Sequence, residues 1–521
     1  MQQVTSTLAA IDYVIVVAYM VGMLAVGLYF AKYVHSTGDL LLAGRSLPFW
    51  AIGISIVASD IGAIDLISGS GGAYQYGIAQ ANFDWVGSMP ALLIAAFVFV
   101  PYYWRAGVFT IPEFLGRRYN AGVQTIQALI WLSFMATNVA IMLWTSAVFL
   151  HEILGWPHEL AIAITATIVG AYTVTGGLGA IVMTDVLQVV VMYVGAGALL
   201  VLSVWEAGGW HGMTDKILAL GDKTQNFFTL LLPHDAPTPY PWTGIVFGLG
   251  LILSTAYFVG NQAVLQRALG ARTEWDAKAG MVLAGLLKLM VPVLVFTPGL
   301  AAKAIYPDLE RADQAVPTLV RELMPPGLTG LMFAAFFAAI MSSIDSYLNS
   351  CTTVFISDIY HPAYRRIAGR PLPDWHGLWL GRLLTAALIV TACFVAPLIA
   401  EFETIYVALQ TLLSLFQGPT LAILLLGILW RRATRWGGLA GLVLGVMMTG
   451  VWTTLGDDLF PSERPFLFVS ISSFLFTAGV TIVVSIFTRP EPPEKLRGLV
   501  YGDVVHDAGA QAILRERLDT P

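Results

Sequence analysis

Long apolar runs, most of twenty residues or more, alternate along this chain with short stretches that carry charge, proline and glycine. A helix needs about 20 residues to cross ~30 Å of hydrocarbon. On that rule the chain divides into about thirteen segments, at 11–33, 50–78, 82–104, 121–152, 156–175, 180–206, 240–268, 278–304, 326–360, 376–399, 402–430, 434–456 and 464–488. The runs lack the period of two that a membrane barrel requires, and only helices or closed barrels satisfy backbone groups in lipid. The pattern predicts an all-α polytopic membrane protein: one transmembrane domain over 1–488, followed by a tail over 489–521. The apolar run 13–31 is too long for the core of a signal peptide, and no Lys or Arg precedes it. It is expected to be a spanning helix rather than a cleaved leader.

The basic residues orient these segments. With the N-terminus outside, nineteen of the 27 Lys and Arg fall on the inner side and six on the outer, with Lys288 and Arg382 inside spans. That bias is the positive-inside pattern. It predicts an integral plasma (inner) membrane protein with the N-terminus outside and the tail cytoplasmic. The longest connection, about 207–239, and the Pro- and acid-rich 305–325 then lie outside. The tail opens with RPEPPEK and is expected to be flexible or to lie on the surface.

Composition narrows the class. Charged residues are 12% of the 521, about half the ~25% of a soluble domain, and the mean hydropathy is +0.74. These values exclude a soluble enzyme, a disordered chain and a nucleic-acid binder with a basic face. Cys351 and Cys393 make neither a disulfide framework nor a metal motif. The eight histidines are scattered, with no HxxxH pair, and no GxxxxGK[ST] loop is present. The expectation is therefore a protein that is not an enzyme, needs no organic cofactor and does not drive itself with ATP.

Candidate chemistry sits where the membrane segments turn polar. In FWAIGISIVASDIGAIDLISGSGG, Gly62 lies between Asp60 and Asp65. Glycine permits unwinding, and discontinuous helices near the midplane build the ion and solute sites of transporters; a packing kink is the plainer alternative. An intramembrane carboxylate costs about 2.5–3.5 kcal/mol on the insertion scale, so two beside one glycine point to a site. In AAIMSSIDSYLNS, Ala339, Ser342, Ser343 and Ser346 share one helical face. Their hydroxyls suit a hard cation such as sodium, although small residues also let helices approach closely. Asp345 lies beside them. Asp84, Asp185, Lys288 and Arg382 are the other charges within or at the ends of spans. Lys288 is about three turns deep and needs a cavity or an acid. Asp185 is either a functional carboxylate or an interfacial one, and Arg382 is placed to snorkel. Gln410 is a buried amide, either joining helices or meeting a ligand.

GRSLPFWAIGISIVASDIGA and GVFTIPEFLGRRY, followed in order by YTVTGGLGAIVMTDVLQ, GNQAVLQRALGA, KAGMVLAGLLKLMVP, AAIMSSIDSYLNS and LLLGILWRR, resemble the sodium/solute symporter family over roughly residues 10–455. The likeness is greatest to its sodium/glucose cotransporter branch. It implies a leucine-transporter-type fold: two inverted five-helix repeats, at about 50–206 and 240–430, with one helix before them and two after. It implies a main sodium site from the carbonyls of Ala58, Ile61 and Ala339 and the hydroxyls of Ser342 and Ser343. A second cation site would use Asp185, Asp345 and Ser346, where Asp345 replaces the family's usual small hydroxyl residue. The solute would meet Asp65, Asp84, Ser254, Lys288 and Gln410, and Tyr257 and Phe258 would form an inner gate. Asp65 stands for a Gln or His, Asp84 for a Glu, Ser254 for an Asn, and Asp60 for an Asn. These acids could grip sugar hydroxyls, neutralise Lys288 or meet an amine.

The expected function is a sodium-coupled symporter that imports a small polar solute, a sugar or polyol, by alternating access. A sodium- or proton-coupled symporter of a carboxylate, amino acid or other small solute is the alternative, with Asp345 as proton carrier. A membrane sensor is more remote, since the chain runs only about 30 residues past its last span. The expected partners are the solute, Na+ and the lipid bilayer, without nucleic acid. The solute's identity, the sodium stoichiometry and the oligomeric state stay open.

Overall fold

A computed structural model describes residues 8–236, 238–401, 405–460 and 465–502, without the side chains of 405–412 and a few other positions. Among the described residues, helices make up the whole regular architecture, with no strands beyond isolated bridges. Nine helices are long and apolar enough to cross a membrane, or eleven when each of two bent pairs counts as one span. Two shorter apolar helices fall at the predicted fifth and eleventh segments. The predicted thirteen therefore stand as nine to eleven spans by length and composition.

In chain order the spans are α1 (Ala10–Ala31), α2 (Phe49–Asp60 bent by 66° onto Asp65–Ala81), α3 (Phe83–Ala106) and α4 (Ala121–Leu154). Then come the shorter α5 (His158–Ala171), α6 (Gly176–Glu206) and α7 (Gly244–Gly260 bent by 55° onto Gln262–Leu269). The remainder are α8 (Glu274–Ile305), α9 (Leu328–Ala368), α10 (Asp374–Ile399), α11 (Ile405–Leu429), α12 (Arg435–Leu459) and α13 (Phe466–Phe487). The two bent spans are five apart, the spacing a repeat of five helices requires. α5 and α6 meet at Gly177, whose φ of +59° and ψ of −178° only glycine adopts readily.

Lipid is as apolar as leucine, so close packing and polar contacts must hold membrane helices together. That is why glycines mark the seams. Gly53 of α2 and Gly280 of α8 face each other: a Cβ on Gly53 would lie 2.8 Å from the Gly280 carbonyl, and one on Gly280 would lie 2.6 Å from Ile52. α9 is buried at nearly every position from Thr329 to Val354 and forms the centre of the bundle. Its first turn is capped from α1: the Asp12 carboxylate accepts from the Gly327 and Gly330 amides, each at 2.7 Å. The last turn of α11 is capped by buried Arg118, which donates to the carbonyls of Gly427, Trp430 and Ala433 at 2.6, 3.1 and 2.9 Å.

Three stretches outside the spans carry structure of their own. The stretch read as a long loop, 207–239, holds the helix Gly209–Leu218, and 305–325 holds Ala315–Leu323. The described part of the tail is docked rather than free. Glu491 pairs with Arg435 and Lys495, Leu496 and Val500 are buried, and the Tyr501 amide donates to the Ile428 carbonyl at 2.8 Å.

Candidate functional site

α2 breaks where its sequence is weakest. Ile61 leaves the helical region (φ −85°, ψ 85°) and ends the first half, and Gly62 follows. The turn of Ile61 swings its carbonyl off the helical track. α7 breaks at Asn261 (φ −72°, ψ 115°), whose side chain caps the second half. Beside these breaks lies a cavity of about 120 Å³, whose polar lining includes Asp60, Asp65, Asp84, Ser254, Tyr257 and Lys288. Asp65, Asp84 and Ser254 each lie on a stretch of widened, π-type helix, a geometry frequent at functional sites.

Lys288 anchors the polar wall. Its Nζ lies 2.6 Å from Asp60 Oδ2 and 2.6 Å from Asp84 Oδ1. All three side chains are at most one-tenth exposed. A lysine this deep is tolerated because two carboxylates meet it. Asp65 stands apart from that bridge and accepts from the Gly62 amide at 3.0 Å. Three carboxylates thus share the cavity with one ammonium, so its formal charge is negative. The Tyr257 hydroxyl lies 3.2 Å from that of Tyr347, and Phe258 packs edge-on against the Tyr257 ring. Tyr257, Phe258 and Tyr347 all line the cavity.

The serine face of α9 meets the end of the first half of α2. Ser342 Oγ donates to the Ala58 carbonyl at 2.8 Å and lies 3.2 Å from the Ala339 carbonyl. Ser343 Oγ donates to the Ser59 carbonyl at 3.1 Å. Ser342, Ser343, Ala58 and Ala339 therefore meet at one seam beside the cavity, Ile61 ends the α2 half-helix two residues past Ser59, and all five are buried.

A second cluster lies one turn along the same seam. Arg267, on the second half of α7, donates to Ser55 and Ser346, each at 2.5 Å, to Ser59, and to Asp185 at 3.1 Å. Ser346 also donates to Asp345 at 3.2 Å. Asp185 is fully buried rather than interfacial. Arg267, counted with the inner-surface basic residues, is likewise buried at 1% exposure. The sequence carried a signal for it: Gln262, Gln266 and Arg267 are polar residues inside an otherwise apolar stretch.

The side chain of Gln410 lies outside the described residues. On the same helix, Gln417 lines the cavity, and the sequence reading passed over it. It too is an amide in an apolar run, LSLFQGP, seven positions on and so on the same face.

A model of the sodium:solute symporter family matches residues 40–445. The chain belongs to the sodium:solute symporter family. This symporter is 32% identical to sodium/glucose cotransporter 1 of Oryctolagus cuniculus, over 94% of this chain and 81% of that protein. It is 31% identical to the sodium/glucose cotransporter of Vibrio parahaemolyticus, over 94% and 92%. To the sodium/myo-inositol cotransporter of Canis lupus familiaris it is 30% identical, over 95% and 76%. Among solved structures, a substrate-bound, outward-open Na+-coupled sialic acid symporter superposes with a TM-score of 0.80 at 21% identity, covering 92% of this chain and 99% of that one. The likeness shows the fold, the leucine-transporter type. The symporter is an integral membrane transporter rather than an enzyme, and Na+ and a solute are its transported partners.

Proposed function

We propose that this symporter couples the inward movement of sodium to the import of a sugar or polyol by alternating access. The observation that carries the reading is the cavity between the two broken helices, where Lys288 is bridged by Asp60 and Asp84 with Asp65 beside them. Hydroxyl groups can donate to carboxylates and accept from an ammonium, so a polyhydroxylated solute matches both. The free space, about 120 Å³, is that of about four waters at ~30 Å³ each, so a monosaccharide enters as the cavity widens around it. A carboxylate solute would face three acids and one lysine, which disfavours the anionic alternative. The names of the curated relatives lend support: two transport glucose and one myo-inositol.

Sodium is assigned to the seam of Ala58, Ile61 and Ala339 carbonyls with Ser342 and Ser343. Oxygen ligands suit a hard cation. The seam joins the broken α2 to α9, so an ion there ties together two elements that must separate for release. That supplies the differential affinity coupling needs. Around Asp185, Asp345 and Ser346, the guanidinium of Arg267 already supplies a positive charge. Its presence favours one sodium per cycle over two. The distribution of basic residues supports an external N-terminus and a cytoplasmic tail.

The test is uptake into sodium-free proteoliposomes under an imposed inward sodium gradient, with labelled glucose, galactose, myo-inositol, a dicarboxylate and an amino acid. Sodium-dependent sugar or polyol uptake that Ser343→Ala loses is the expected result. Uptake of the amino acid or dicarboxylate alone would overturn the solute assignment. Uptake that follows a proton gradient and ignores sodium would overturn the ion assignment and point to Asp345.

A further inference from the structure

We propose that Gln417 is a solute-contacting residue, and that its carboxamide recognises one hydroxyl of the transported solute. The inference rests on the reading of the cavity as the solute site. Gln417 is fully buried, lines the cavity with Leu413 one turn before it, and has no hydrogen-bond partner for either Nε2 or Oε1 among the described residues. Buried polar groups are almost always paired, because an unmet donor or acceptor loses its water without compensation.

A glutamine that merely joins helices finds its partner on a neighbour. Gln127 does so with Thr420 at 2.9 Å, and Gln266 does so with Thr353 and Ser350 at 2.7 and 2.8 Å. Gln417 does not. Gln80 and Gln188 also have both amide atoms unmet, but of the three Gln417 alone faces this cavity. Its unmet amide is therefore buried in the wall of the space a solute occupies.

The chemistry of that amide restricts the solute. The charged groups of the cavity are three acceptors and one donor: Asp60, Asp65, Asp84 and Lys288. Gln417 adds a neutral group that donates and accepts at one place. A hydroxyl, which also does both, satisfies it. A carboxylate offers acceptors only and an ammonium donors only, and each would leave half of the amide unmet. The contact therefore selects a polyhydroxylated solute with one hydroxyl turned to α11, the helix that carries Gln410 two turns earlier.

The experiment compares wild type, Gln417→Leu and Gln417→Asn in proteoliposomes, with glucose, galactose and myo-inositol as probes and then the monodeoxy analogues of whichever is carried. Gln417→Leu is expected to raise KM about tenfold, with kcat and the sodium half-saturation unchanged. One deoxy analogue should be carried equally by wild type and Gln417→Leu, since the hydroxyl it lacks is the one the amide meets. Gln417→Asn, which keeps the amide one methylene back, should give an intermediate KM and keeps the test open if the leucine variant does not fold. An unchanged KM in both variants would overturn the proposal, as would a fall in kcat shared by every analogue. If the wild type carries none of the sugars, the solute reading itself fails, and this inference with it. A wild type that carries sugar beside indifferent variants refutes Gln417 alone.

Discussion

The guanidinium of Arg267 lies 3.1 Å from Oδ2 of Asp185, and both side chains are sealed from solvent at 1% and 0% exposure. The pair joins α7 to α6, with Ser55 and Ser59 of α2 and Ser346 of α9 completing its hydrogen bonds. Four helices, α2, α6, α7 and α9, thus share one buried ion pair.

Breaking that pair from one side should be severe. Arg267→Met strands Asp185, and an uncompensated buried charge costs about 3–5 kcal/mol. A large fall in the melting temperature of the purified protein is expected. Arg267→Met combined with Asp185→Asn should recover a good part of it, as the stranded charge is then gone. If the double variant is no better than the single, the guanidinium's packing rather than its charge matters.

If Arg267 is the resident cation of this cluster, sodium activation should be non-cooperative. A Hill coefficient near one and a static-head accumulation that scales with the first power of the sodium gradient are expected. A second-power dependence would mean that two ions cross per solute.

Lys288 makes the corresponding prediction for the cavity. Lys288→Met leaves Asp60 and Asp84 facing each other without their common partner, so uptake should fall by two orders of magnitude or more and stability should fall with it. Asp84→Asn keeps the shape and leaves Lys288 paired with Asp60. It should fold normally and act on KM. Equal thermal loss in both variants would argue that the bridge is structural only.

The α12–α13 seam offers a test without charges. A Cβ on Gly437, Gly441 or Gly445 would lie 2.0, 2.0 or 2.1 Å from the hydroxyl oxygen of Ser485, Thr481 or Thr477. Gly441→Ala must push the helices apart and is expected to cost about 1–3 kcal/mol. Thr481→Ala removes the colliding oxygen, so the double variant should be closer to wild type than Gly441→Ala is. A double-mutant cycle on melting temperature reads the coupling.

Glu491 gives the pH dependence of the docked tail. Burial opposes its ionisation, but hydrogen bonds from Arg435 and Lys495 outweigh it and hold the carboxyl at about 2. A folded value below the unfolded ~4.3 contributes stability above that pH and loses it as the pH falls toward 2. Glu491→Gln should therefore melt below wild type at pH 7, and the gap should narrow as the pH falls from roughly 5 to 3. A gap that stays constant would assign the effect to packing.

Some of the site was legible because membrane segments leave little room for polar residues. Gly62 between two acids announced the break in α2, and the Ser342/Ser343 face announced the seam with it. The depth of Lys288 demanded an acid, although not which one. Asp60 entered as one of the two acids beside Gly62 and as a departure from the resemblance, and the structure makes it one of two direct partners of Lys288. Arg267 and Gln417 were misplaced or passed over for a shared reason. Hydropathy measures a segment against lipid, and both residues are turned away from lipid on helices that are apolar on average.

The sequence by itself determined the class of the molecule. Runs of apolar residues long enough for a bilayer, with basic residues biased to one side, leave only a helical membrane protein, because lipid offers no partner for an open backbone. Only the tertiary structure decided which charges pair. Asp185 with Arg267 lie 82 positions apart, and Lys288 with Asp60 more than two hundred. The physical reason is that a buried charge must find its counterpart wherever the fold brings one. One-dimensional spacing sets which face of a helix a residue occupies, and not which helix that face will meet.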